Sequence, residues 1–290
     1  MTDKLENPDA ESPISSDIRT ERVRSSLIIT LNRPDRGNSV HGTLFRDIVN
    51  AFEEADADER VRAIVTMGAG STFCAGADRD VFARIGQAGS IDLHELGFQG
   101  TVGGDWGLPP QSRDQRRSDT LGVGRWVHRM IDVGTPSIAG INGGAAGGGL
   151  ALALMHDFRI ASTTAKLVPA FIALGVSPEM GASYILPRLV GYSKAFDLMT
   201  RLAPIEADEA LALGLVNQVV EPSELRDAVL ARADELAKFP PVAVSMVKRL
   251  LRQSTESSLD AQLEREWHNQ TRLFGFSDTG ARIRAYLEQF

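Results

Sequence analysis

Two glycine-rich segments stand where a strand hands over to a helix: Gly68 through Asp78, and Asn142 through Gly149. Helix N-terminal amides have no partner inside the helix and point outward, so such junctions attract polarised or anionic oxygens. Small residues at both places let a ligand approach the main chain, and two convergent N–H groups can hold an oxygen that becomes negative during reaction. Either segment alone is weak evidence, since a glycine-rich loop is more often a tight turn or a close packing contact. Neither carries the lysine that follows the last glycine of a phosphate loop.

Other side chains have simpler readings. Asp78 follows the first segment and is placed to cap the next helix. Glu179, after Pro178, reads on its own as a helix-start carboxylate interacting with the helix dipole. His128 and His156 read as packed or surface histidines, Cys74 as a small buried apolar residue, and Arg79 as part of a solvated helix face. Trp106, Trp126 and Tyr184 are core residues by default and acyl-pocket walls as the alternative.

The elements that must position these residues follow from periodicity. Leu27 to Leu31 is a continuous apolar strand, followed by the turn residues Asn32 to Asn38. Leu44, Phe45, Ile48, Val49 and Phe52 recur at three- and four-residue spacing and predict a helix over 42–57. A strand over Val61 to Met67 comes next. The order repeats when Pro136 to Ile141 leads into the second glycine-rich turn, an apolar helix and Phe158 to Ala161, and repeated β-α-β order implies parallel strands. From about residue 193 helical patterns dominate, over 206–213, 222–237, 241–253, 258–274 and 278–288, broken by Leu215 to Val219. The reading is an α/β core over 21–200 and a helical region over 201–290, preceded by a loose tail over 1–20. Ser90 to Thr120 has no clean periodicity and reads equally as a mobile cover for a site or as a disordered surface excursion.

Four blocks in order give the chain a specific resemblance: Leu31-Asn32-Arg33-Pro34, Phe73 to Asp78, Pro136 to Gly149 leading to Asp157, and Leu186 to Gly191. From about Leu27 to the C-terminus the chain resembles the crotonase (enoyl-CoA hydratase/isomerase) superfamily. The resemblance implies a spiral of β-β-α turns, a C-terminal helical trimerisation region, and assembly as a homotrimer or homohexamer. It implies a coenzyme A thioester as substrate, with no separate cofactor and no metal. By position, the amides of Ala77 and Gly148 would form an oxyanion hole. Arg36, Asn38, Ala75 and Asp78 would lie near the coenzyme A moiety, and Gly76, Gly147, Ala151 and Phe171 would also belong to the substrate and coenzyme A binding set. Family hydratases resemble one another in two glutamates, and those positions are Ala151 and Phe171 here, neither of which can serve as an acid or base. Glu179 falls where some family isomerases carry a single catalytic carboxylate. The resemblance therefore implies a Δ3,Δ2-enoyl-CoA or epoxyphenylacetyl-CoA type isomerase with Glu179 as acid/base. The alternatives are a hydratase or lyase that recruits another acid, or a non-catalytic CoA-ester-binding protein.

Composition bounds the rest. The chain has 290 residues, 43% hydrophobic and 24% charged, with a formal net charge of −7. That balance lacks the basic footprint needed to neutralise nucleic-acid or membrane phosphates. The single cysteine forms no internal disulfide and fits a reducing cytoplasm. No apolar run approaches the ~18 residues of a membrane span, so a soluble cytoplasmic enzyme is expected.

Overall fold

The computed structural model describes residues 17–40, 44–88 and 124–288. The candidate cover Ser90 to Thr120 and Trp106 lie outside them. Two sheets organise the chain. The larger has six strands in the order β1 (Ile18–Val23), β2 (Ser26–Leu31), β3 (Ala63–Gly68), β5 (Ser137–Ile141), β7 (Phe158–Ser162) and β10 (Gln218–Val220). All neighbours run parallel except β1 against β2. The smaller has the order β4 (Thr72–Cys74), β6 (Gly144–Ala146), β8 (Lys166–Val168) and β9 (Ile205–Glu206), parallel apart from the last pair.

The central strands read as continuous apolar runs because both faces of the large sheet are covered. Ile28, Ala63, Val65, Ile138 and Ile160 pack on one face against Leu225, Val229 and Ala233 of helix α8 (Leu225–Ala237). Their alternates Ile29, Leu31, Ile64, Ala139, Ile141 and Ala161 face the main core, as the two-residue period of a strand requires. That core is closed by α1 (Leu44–Ala57), α3 (Gly124–Asp132) and α4 (Gly148–Met155). The apolar stripe of α1 is buried as its spacing predicts, and fully burying each large side chain contributes about 1.5–3 kcal/mol. A strand of the large sheet followed by a strand of the small sheet and a helix recurs as β3-β4-α2, with α2 at Arg79–Ala88, and as β5-β6-α4. This is the expected β-β-α spiral.

Helices α5 (Ala182–Val190), α6 (Tyr192–Thr200) and α7 (Ala207–Ala212) follow, and beyond α8 the chain is wholly helical in α9 (Pro241–Ser254), α10 (Leu259–Phe274) and α11 (Ser277–Leu287). Residues past 200 still feed both sheets through β9 and β10, so the line expected there falls between strands that pair. β1 starts inside the expected tail. It is an edge strand whose Ile18 is buried while Arg19 and its other polar residues line the surface, so it carries little apolar signal.

The C-terminal helices are tied to the core by an ionic cluster around the buried Lys248. Lys248 and Arg252 of α9 each lie 2.7 Å from a carboxylate oxygen of Asp157, which also accepts from the Ser137 amide and hydroxyl. Burial opposes ionisation of Asp157, and the two cations more than offset it, holding its carboxyl below the ordinary value.

Candidate active site

The strand pairing of β4 with β6 sets Thr72 beside Gly144 and Cys74 beside Ala145. Both strands therefore release the chain at the same edge, β4 into Ala75-Gly76-Ala77 and β6 into Gly147-Gly148. Carboxyl ends of parallel strands are where such folds receive ligands. The two loops meet backbone to backbone. A Cβ on Gly76, which sits at φ +84°, would lie 2.5 Å from the Ala146 carbonyl and 3.2 Å from the Gly148 nitrogen. A Cβ on Gly149 would lie 2.0 Å from the Cys74 carbonyl. Glycine is required at both positions by contact alone.

The direction of each amide follows from peptide geometry. Val40 N–H donates to Gly76 O at 2.7 Å, and because the peptide is planar and trans the Ala77 N–H points the opposite way. Gly148 is the first residue of α4, where amides have no intrahelical partner, and the Gly147 carbonyl before it accepts from Ala151 N–H at 3.0 Å. Among the described residues neither the Ala77 nor the Gly148 N–H has a backbone acceptor. Two unpaired donors on touching loops can hold one oxygen as it gains charge.

The segment over 170–181 wraps the N-terminus of α4. The Ala170 Cβ lies 3.9 Å from a Cβ built on Gly147, and the Met180 sulfur 3.3 Å from one built on Gly148. Ala170 at φ 58° and Met180 at φ 54° are both left-handed without being glycine, and strain of this kind costs about 1–3 kcal/mol and concentrates at functional sites. Glu179 is thereby held one residue from the contact with Gly148. Its carboxylate makes no hydrogen bond or ion pair with any described residue. Its surface is open in the single chain, yet the surrounding protein desolvates it enough to raise its pKa above the ordinary carboxylate value. Ala151 is fully buried in α4 and Phe171 is buried in the main core, so both hydratase-type positions are apolar in space as in sequence.

The expected coenzyme A neighbours divide. Arg36 and Ala75 are exposed, and Arg36 pairs with exposed Asp80 at 3.1 Å. Asn38 and Asp78 turn inward, and their side chains are spent within the protein. The Asn38 amide donates to Ala69 O and Thr72 O and accepts from Arg33 N–H. Asp78 caps α2 through the Asp80 amide and binds Ser39 and Arg33. Burial opposes its ionisation, but these three donors more than offset it and hold its carboxyl below the ordinary value.

Arg79 and His128 are exposed. His156 is buried, and burial pushes its pKa down to about 4. Burial pushes the Cys74 thiol up to about 11, leaving it a poor nucleophile. Trp126 belongs to the core, while Tyr184 is partly exposed and bonds Glu256. Sequence reasoning missed Ser39 and Met180 and saw Arg33 only as part of a turn motif. An arginine within a tight turn, with an aspartate later beside a glycine-rich loop, is the one signal that pointed to them.

Among the described residues no helix is long and apolar enough to cross a membrane, and no three His, Cys, Asp or Glu side chains gather as metal ligands. The chain matches the family described as enoyl-CoA hydratase/isomerase over residues 21–96 and 111–290. It is 35% identical over 260 residues to a probable enoyl-CoA hydratase of Rhizobium meliloti (strain 1021), covering 90% of each chain. It is 31% identical over 243 residues to the 1,2-epoxyphenylacetyl-CoA isomerase of Escherichia coli (strain K12), covering 83% of each. A solved enoyl-CoA hydratase subunit I structure from Geobacillus kaustophilus HTA426 superposes with a TM-score of 0.80 at 31% identity, covering 96% of this chain and 97% of that one. With its two-sheet spiral and touching glycine loops, the chain belongs to the enoyl-CoA hydratase/isomerase family, the crotonases, and is an enzyme of acyl-CoA thioester chemistry.

Proposed function

We propose that this chain shifts a double bond in an unsaturated acyl-CoA thioester, through an enolate whose oxygen sits between the Ala77 and Gly148 amides, with Glu179 as the only acid/base. The observation that carries this reading is the Glu179 carboxylate beside the N-terminus of α4, without a partner among the described residues and with its pKa raised by the surrounding protein, while Ala151 and Phe171 are apolar. A single base suffices for such a shift, since it takes the proton alpha to the carbonyl and returns it two carbons along. A desolvated carboxylate has the raised basicity this needs. One oxyanion donor is typically worth about 2.7–4 kcal/mol in the transition state. Arg36 with Ala75 and Gly76 would flank the coenzyme A moiety, and Gly147, Ala151 and Phe171 the acyl group.

Hydration of a 2-enoyl ester, with an acid other than the usual glutamate pair, is the second reading. It is favoured by relatives' names, since probable or short-chain enoyl-CoA hydratases of Rhizobium, Clostridium and Mycobacterium outnumber the isomerase. Assembly as a homotrimer or homohexamer belongs to the same proposal, supported by exposed large apolar residues on α6 and the C-terminal helices. So does a cytoplasmic location, supported by the lone cysteine.

The test is mass-resolved product analysis of wild type and Glu179→Gln, each given a 3-enoyl-CoA or a 2-enoyl-CoA in deuterated water. Wild type should convert the 3-enoyl ester to its 2-enoyl isomer without mass gain beyond deuterium, and Glu179→Gln should not. Addition of water to the 2-enoyl ester, unaffected by Glu179→Gln, would establish the second reading instead. Tight ester binding with no turnover by either protein would make the chain a binding protein.

A further inference from the structure

We propose that Arg33, Ser39 and Asp78 form a clasp that fixes the direction of the Ala77 N–H, making them positioning residues rather than contacts for coenzyme A. The inference rests on the oxyanion reading of Ala77 given above.

Ala77 meets Val40 in an isolated two-residue bridge, Val40 N–H to Gly76 O at 2.7 Å and Asp78 N–H to Val40 O at 3.2 Å. Among the described residues no strand continues that bridge to hold it in register. The side chains just outside it do so. Ser39, one residue before Val40, donates its hydroxyl to Asp78 Oδ2 at 3.0 Å, and Asp78 is one residue after Ala77. Arg33 closes the loop from one guanidinium, donating to Ser39 O at 2.7 Å and Asp78 Oδ2 at 3.1 Å. The remaining Asp78 oxygen accepts from Asp80 N–H at 3.0 Å, so both carboxylate oxygens are occupied by protein. Asp78 is 2% exposed and Ser39 3%.

Hydrogen bonds weaken steeply as they bend, so a rotation of the Gly76–Ala77 peptide would swing the donor off its target while leaving the fold intact. A buried ion pair stabilises little compared with an apolar replacement of the same volume. What the pair supplies here is orientation.

The experiment compares wild type with Asp78→Asn, Ser39→Ala and Arg33→Met, using a 3-arylacryloyl-CoA whose absorbance shifts to the red when its carbonyl is polarised. The red shift at saturation is read alongside kcat and KM for turnover and the urea midpoint. The clasp predicts a smaller red shift in each variant and a kcat reduced by up to about 10²-fold at little-changed KM, the scale of a small misplacement at a reacting centre. Variants with lowered urea midpoints but wild-type red shift and kcat would show the clasp to be structural only and overturn the proposal. If Arg33→Met does not fold, Ser39→Ala, which removes one neutral bond, decides by the same readouts. A wild type that binds the probe with no red shift overturns the oxyanion reading together with this one, whereas a red shift present and equal in all proteins overturns this one alone.

Discussion

At the scale of the residue, Glu179 is a charge the fold does not need. Its carboxylate has no partner among the described residues and the surrounding protein disfavours its charge, so Glu179→Gln should leave Tm unchanged or raise it, while lowering kcat by about 10²–10⁴-fold. A carboxylate serving only as a helix-start charge would behave in the opposite way on both measures. Because the base acts in its ionised form and its pKa is raised, kcat/KM should fall on the acid side with a midpoint above 4.5. Gly76→Ala makes a different statement. Its Cβ would overlap the Ala146 carbonyl at 2.5 Å, so both turnover and thermal stability should drop, read by assay and calorimetry. The sequence made the apolar character of the 151 and 171 positions legible, because neither Ala151 nor Phe171 can transfer a proton whatever its surroundings. Asn38 and Asp78 were not legible, since a polar side chain beside a glycine loop serves a ligand or the loop equally well until its hydrogen-bond partners are known.

At the scale of the element, α4 is held at both ends. Its first turn offers the Gly148 amide, and its C-terminus is fixed by His156, whose ring bonds Leu152 O and the Thr66 hydroxyl, and by Asp157. The folded His156 pKa is about 4 against an ordinary 6.5, so the neutral ring stabilises the fold fully above pH 6.5. That contribution, at most about 3 kcal/mol, is lost progressively as pH falls from 6.5 toward 4. Tm measured across this window should fall in wild type and change less steeply in His156→Gln. Lys248→Met leaves Asp157 short of a cation in a buried place and should cost about 3–5 kcal/mol, seen as a lower urea midpoint at constant slope. The long elements, α1 and α8 to α11, follow from periodicity to within a few residues. The short strands β4, β6, β8 and β9 do not, because two or three residues carry no period, and yet it is β4 and β6 that bring the two glycine loops together.

At the scale of the whole molecule, the single chain leaves Tyr192 79%, Phe196 60% and Trp267 69% exposed, more apolar surface than a lone subunit usually shows to water. Sedimentation should return three or six times the 31.4 kDa chain mass, and Tyr192→Asp with Phe196→Asp should lower it. The α/β core and helical end were legible as a change of period along the chain, but their join was not, because β9 and β10 return to the sheets after the helical pattern has begun. The two N–H groups proposed to hold the thioester oxygen belong to the main chain, and that has a bearing on descent. Any substitution at Ala77 short of proline leaves its amide in place, whereas one codon suffices to install or delete a carboxylate at 151, 171 or 179. Selection can thus exchange one proton-transfer chemistry for another in single steps while the demand for a thioester stays nearly immovable, so descendants of such a scaffold should diverge in reaction far sooner than in the class of molecule they accept.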